Sequence, residues 1–136
     1  MKNSTSSKNI KTSPARSDLT EQKIIIRKAL IRAASILGLS QKDMSQIIGF
    51  SEAKASRFFN QTGTFIEPAS KEWDLALLFL RMYRSLDSLW GGHEDQCRLW
   101  INSYNKQLKG KPKDLIKTIE GLVAVTQYLD AYRGLA

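Results

Sequence analysis

His93 and Cys97 stand four residues apart, close enough on a helix to share a face, and are the first pair in this chain whose types suggest chemistry. Two ligands do not make a closed structural zinc site, which takes four, so we expect no metal there. Catalysis finds no better footing. The chain has one histidine, no phosphate-cradling glycine loop and no nucleophile paired with a base. Convergent titratable groups are what an active site needs, so neither an enzyme nor a cofactor is expected. His93 reads as a surface residue at a helix start, and Cys97 as an ordinary reduced thiol, since a single cysteine excludes an intrachain disulfide. Binding chemistry remains, and it depends on the elements that hold the basic and aromatic residues in place.

The 136 residues carry a formal charge of +8 and 42% hydrophobic side chains, ordinary for a globular protein with one core or two small helical ones. Lys2, Lys8, Lys11 and Arg16 precede the first acidic residue, Asp18, so half of the net charge belongs to the first 17 residues. That stretch, residues 1–17, is rich in Ser, Thr, Asn and Lys, and ordering it would cost entropy without burial in return; it reads as a disordered basic tail. The remaining positive charge suggests a polyanionic partner. No apolar run approaches the ~18 residues of a membrane span, and the N-terminus lacks the apolar core of a secretory signal, so a cytoplasmic protein with no membrane partner is expected.

From Leu19 to Gly38, apolar and basic residues alternate at helical spacing, which predicts a first helix. Residues 40–61 then read as two short helices about a sharp turn at Gly49. Ser40 with Asp43 forms a capping box, Ser51 is a second N-cap, and Met44, Ile47, Ile48, Ala55 and Phe58 face inward around a close crossing at Ser45. With Gln41 opening the first helix and Gly49 at the turn, the unit resembles the helix-turn-helix of Xre and phage-repressor proteins. The resemblance implies base contacts from Glu52, Ala53, Lys54 and Arg57, and phosphate contacts from Gln41, Ser51 and Asn60. Residue chemistry is compatible: Arg57 can read guanine bidentately, Glu52 can accept from cytosine, and Lys54 suits base or phosphate. A solvated face of a structural helix pair is the plain alternative.

Residues 62–68 read as a linker with Phe65 and Ile66 pinned to a core, after which Ser70 caps a long helix ending at Gly91 and Gly92. Its apolar face is wide enough for burial on two sides, one against the chain's own helices and the other against a second copy, and a dimer would suit a palindromic DNA site. A central place in one monomeric core is the alternative.

The run Leu99, Trp100, Ile101 reads as a helix end, because Asn102, Ser103 and Asn105 compete for backbone hydrogen bonds and favour a turn. Leu108 re-enters apolar surroundings, Gly110 permits a positive φ, Pro112 opens a new helix, and Asp114 meets its dipole. A last helix is expected over residues 121–132, breaking at Gly134. The ordered set Trp100, Asn102, Asn105, Leu108, Gly110, Pro112, Leu115, Ile116 and Gly121 resembles the toxin-binding domain shared by antitoxins of the Xre, MbcA and ParS type, over residues 73–134. Such a domain implies a RES-domain toxin as partner, one that degrades NAD or transfers ADP-ribose from it. Lys109, Gly110, Lys111 and Lys113, with Tyr132 and Arg133, are our candidate contact surface, since Tyr and Arg favour interface anchors and the C-terminus could insert into a partner. Trp100 and Leu115 are assigned to the core.

The expected architecture is therefore all-α: a tail over 1–17, a helix-turn-helix bundle over 18–66 and a small helical toxin-binding domain over 67–136, the two halves being separable. The leading function is an antitoxin of a type II toxin-antitoxin system that blocks a RES-type toxin and represses its own operon by binding operator DNA, as a homodimer within a larger toxin-antitoxin complex. The alternative is a stand-alone prophage-type transcriptional regulator whose C-terminal helices only dimerise.

Overall fold

A computed structural model describes the backbone of residues 2–135 and the side chains of residues 18–134. The tail expected over residues 1–17 falls outside the described side chains. Seven helices and no strand make up the described residues: α1 Lys2–Leu37, α2 Gln41–Ile48, α3 Glu52–Phe59, α4 Lys71–Trp90, α5 Glu94–Ile101, α6 Pro112–Leu115 and α7 Ile119–Leu135. The fold is all-α.

The stops and starts follow from local chemistry. Ser40 accepts a hydrogen bond from the Asp43 backbone N–H while the Asp43 carboxylate accepts from the Ser40 N–H, closing the capping box on α2. Ser51 and Ser70 cap α3 and α4 in the same way through Lys54 and Trp73. Gly49 takes a left-handed φ of 89° at the turn, which a β-carbon would strain. Met44, Ile47, Ile48, Ala55 and Phe58 are buried, as their spacing requires.

α4 is the axis of the molecule. It packs on α7 most extensively and also meets α1, α2 and α5. Ala76, Phe79, Leu80, Met82 and Leu86 are buried in these contacts, so most of the wide apolar face is used within one chain, and Leu77 is left 44% exposed. One apolar cluster runs from Leu30 of α1 through Phe58 of α3 and Phe79 of α4 to Leu129 of α7. The core thus crosses the compositional boundary near residue 66 without interruption.

Polar contacts cross it too. Arg98 on α5 donates through Nε and Nη2 to the carbonyls of Ile36 and Ser35, and Asn102 Nδ2 donates to that of Leu37, at 3.0, 3.2 and 3.3 Å. These donors cap the C-terminus of α1, where unpaired carbonyls and the helix dipole favour a cation.

Three expectations near the C-terminus are corrected. The positive φ of the connector lies at Lys109, at 59°, and not at Gly110. Gly110 is required for closeness instead: a β-carbon there would come within 3.0 Å of the Leu115 side chain. The last helix begins at Ile119 and continues through Gly134 to Leu135, since Gly134 does not take the left-handed φ with which a glycine ends a helix. Trp100 and Leu115 are half-buried, packed against the core's edge and not within it.

Candidate functional site

Two surfaces carry the residues singled out by sequence. On the first, Gln41 opens α2, and Ser51, Glu52, Ala53, Arg57 and Asn60 lie on or beside α3; all six are exposed. The side opposite is fixed by Ala55 and Phe58, and Phe58 packs between Phe50 and Phe59 with ring centroids 5.2 Å away from each. α3 is therefore anchored by one face and offers the other to solvent, the disposition a groove-entering helix needs.

Lys54 behaves differently. Its ammonium lies 2.6 Å from the Glu72 carboxylate in the first turn of α4 and 5.3 Å from the centre of the Phe50 ring, and its side chain is half-buried. Lys54 thus ties α3 to α4 as well as standing near the exposed face. Sequence spacing alone could not show this, since Glu72 is 18 residues away.

The second surface is the connector between α5 and α7. Asn105 and Gly110 exchange two backbone hydrogen bonds of 2.9 and 3.2 Å, and the Asn105 side chain accepts from the Leu108 N–H. This closed turn holds Lys109 and Lys111 outward, and both are exposed. Lys113 turns inward: it lies 3.6 Å from the Asp43 carboxylate, while Lys117 lies 3.0 Å from the other oxygen. Asp43 therefore serves the capping box of α2 and both lysines at once. Burial pushes its carboxyl up, but the Ser40 backbone N–H, Lys117 and the Ser40 hydroxyl outweigh that and bring it down to about 2. Sequence reading found the cap and missed the two lysines.

Tyr132 and Arg133 sit on the last turns of α7. Tyr132 is 43% exposed, packs on Tyr128 at 4.9 Å and donates from its hydroxyl to Gln107 of the connector at 3.1 Å. Arg133 points the other way and donates to the Ser85 hydroxyl on α4 at 3.4 Å. Ser85 in turn donates to Asp130, which also pairs with Arg81. The Ser85 hydrogen bond and the Arg81 guanidinium hold the Asp130 carboxyl below its usual range against a smaller opposing effect of burial. Tyr132 thus belongs with the connector and Arg133 with α4, so the two do not share one patch.

His93 is an exposed N-cap of α5, and Cys97 is buried, its thiol pushed up by burial. Among the described residues no three metal-ligating side chains come together, and no helix is long and apolar enough to cross a membrane.

The arrangement leaves two exposed surfaces, one on α3 and one on the connector, on a single helical core. Residues 85–134, from the middle of α4 to the end of α7, match the family model of the antitoxin Xre/MbcA/ParS C-terminal toxin-binding domain. The match supports an antitoxin role with a toxin as partner, through a domain whose described activity is binding. No curated protein matches the chain.

Proposed function

We propose that this protein is the antitoxin of a type II toxin-antitoxin system, that it blocks a RES-type toxin which consumes NAD or transfers ADP-ribose, and that it represses its own operon. The observation that carries the reading is the toxin-binding match over residues 85–134, inside which Lys109, Lys111 and Tyr132 are exposed and Gly110, half-buried, lies between the two lysines. The toxin would be held by the closed Asn105–Gly110 turn, whose rigid backbone spares the partner an ordering cost, and by Tyr132 as an amphipathic anchor. Inhibition of this kind needs no cofactor.

Operator binding would fall to α3. Arg57 and Glu52 are exposed for base contacts, with Ala53 against a thymine methyl, and Gln41, Ser51 and Asn60 are exposed for phosphates. A homodimer would place two copies of α3 on half-sites about one helical turn apart. The test is co-expression with the product of the adjacent reading frame. Rescue of growth, a stable copurifying complex and a footprint on the shared promoter are expected. A growth-inhibiting neighbour that this protein neither binds nor relieves would overturn the antitoxin reading, and the footprint without any complex would favour the stand-alone regulator.

A further inference from the structure

A pocket of about 420 Å³ opens between the end of α4, Trp100 of α5 and the last turns of α7, lined by Leu89, Trp90, Trp100, Tyr128, Leu129 and Tyr132. Four of these side chains are aromatic and none is charged, in a chain of which 25% is charged. Its walls are set before any partner arrives. Trp100 lies close to parallel with Tyr128, ring centroids 6.2 Å apart, and Tyr128 packs on Tyr132 at 4.9 Å. The Tyr128 hydroxyl accepts from the Asn105 side-chain amide and the Tyr132 hydroxyl donates to Gln107, so both rings are tied to the connector. Leu129 is fully buried in the core, whereas the other five keep part of their surface open, Tyr132 most of all.

We propose that this pocket receives an apolar anchor of the toxin partner, a single Phe-, Leu- or Met-like side chain. That the partner is a toxin rests on the antitoxin reading. Three observations select the occupant. All six lining residues fall inside residues 85–134, the span that matches the toxin-binding domain. The pocket is continuous with the connector through Tyr132, which lines the one and is bonded to the other. Its lining offers no cation to a phosphate and no carboxylate to a basic segment, and both tyrosine hydroxyls are already engaged. A nucleic acid, a charged peptide or a polar metabolite would lose hydration there with little in return. An apolar side chain has little hydration to lose, aromatic walls meet it favourably, and rings already held in place leave little ordering cost to binding. A desolvated anchor enclosed by Trp and Tyr is the usual form of an interface hot spot. A second copy docking by two-fold symmetry would have to supply the anchor from the same face. The exposed residue of that lining is Tyr132, and Tyr128 and Gln107 hold it as a wall.

The test uses the full chain, with 5-fluorotryptophan at its three tryptophans, Trp73, Trp90 and Trp100, and the purified product of the adjacent reading frame. In fluorine spectra the Trp90 and Trp100 signals are expected to move when the complex forms. The signal of Trp73, in the first turn of α4 and outside the pocket, should stay. Leu89→Trp fills the pocket and should weaken the complex by about tenfold or more, the loss of one anchor, in a protein that still unfolds cooperatively. Leu99→Ala and Tyr104→Ala remove side chains of the same span that are 62% and 68% exposed and do not line the pocket. They should leave the affinity within about twofold. Unmoved Trp90 and Trp100 signals in a formed complex would overturn the proposal, whether or not Leu89→Trp folds. So would a folded Leu89→Trp protein that binds as tightly as wild type, or equal losses from the Leu99 and Tyr104 variants. Movement of the same two signals with protein concentration alone would also overturn it, by marking a second copy as the occupant. A neighbouring product that does not bind the wild-type chain at all removes the antitoxin reading and the pocket with it, whereas a complex that leaves the pocket signals unmoved removes the pocket alone.

Discussion

Arg57 and Lys54 are three residues apart on α3 and differ in what their charges already do. Arg57 is exposed and has no ion pair among the described residues, so its fork is available to a base edge. Arg57→Ala is expected to cost roughly 1 to 3 kcal/mol on the operator and much less on a scrambled duplex, as read by anisotropy titrations. Equal losses on both duplexes would remove Arg57 from base readout. Lys54→Ala should weaken both duplexes evenly and also lower the melting temperature, because the Glu72 carboxylate, half-buried beside it, loses its partner. Asp43 gives a different signature. Its folded carboxyl titrates at about 2, below the unfolded value near 3.9, so its stabilising contribution is complete above the unfolded value and is lost as pH falls through the folded one. Asp43→Asn, which retains an acceptor for the cap, should lower the neutral-pH stability by about 2 kcal/mol and flatten its decline between about pH 5 and pH 2 in acid denaturation curves. An unchanged acid profile would show that Lys113 and Lys117 do not depend on this carboxylate.

At the scale of elements, caps and turns carried most of the information a sequence can hold. The capping box of α2, the serine caps of α3 and α4, and the asparagine that ends α5 depend on neighbours within four residues, and all were legible. The connector was legible as a turn, but not in its detail: the left-handed residue is Lys109, and Gly110 is small because Leu115 leans on it. Gly121 shows the same lesson more sharply. Inside a helix, glycine to alanine ordinarily stabilises by about 0.5 to 1 kcal/mol. Here a β-carbon would stand 1.8 Å from the Leu115 carbonyl oxygen, so the start of α7 would have to move away from α6. Gly121→Ala is therefore expected to destabilise by about 1 to 3 kcal/mol, the usual cost of overpacking, in thermal or urea unfolding. A gain in stability would mean that the α6 to α7 junction yields freely.

At the scale of the whole molecule, composition marked a boundary that packing does not respect. The polar stretch of residues 62–68 separates two apolar patterns, but Arg27 donates to the Thr64 carbonyl and stacks on Phe65, and Ile66 is buried in the common core. Contacts such as Arg98 to Ile36 span 62 residues, and nothing local in a sequence announces them. From this shared core we expect a fragment from Ser70 to Ala136, stripped of the α1 and α2 surfaces that cover α4, to lose its cooperative unfolding transition and its hold on the partner together. A fragment that melts as sharply as the full chain would restore the modular view. The Arg98 cap also has a bearing on how the chain emerges during synthesis. While residues near 98 are still within the ribosome, the carbonyls of Ile36 and Leu37 lack the guanidinium and the side-chain amide that receive them, and that of Ser35 has only the Gly38 N–H. A nascent chain arrested before α5 should be cut readily by protease at the end of α1, and become resistant only when α5 and the connector have cleared the tunnel.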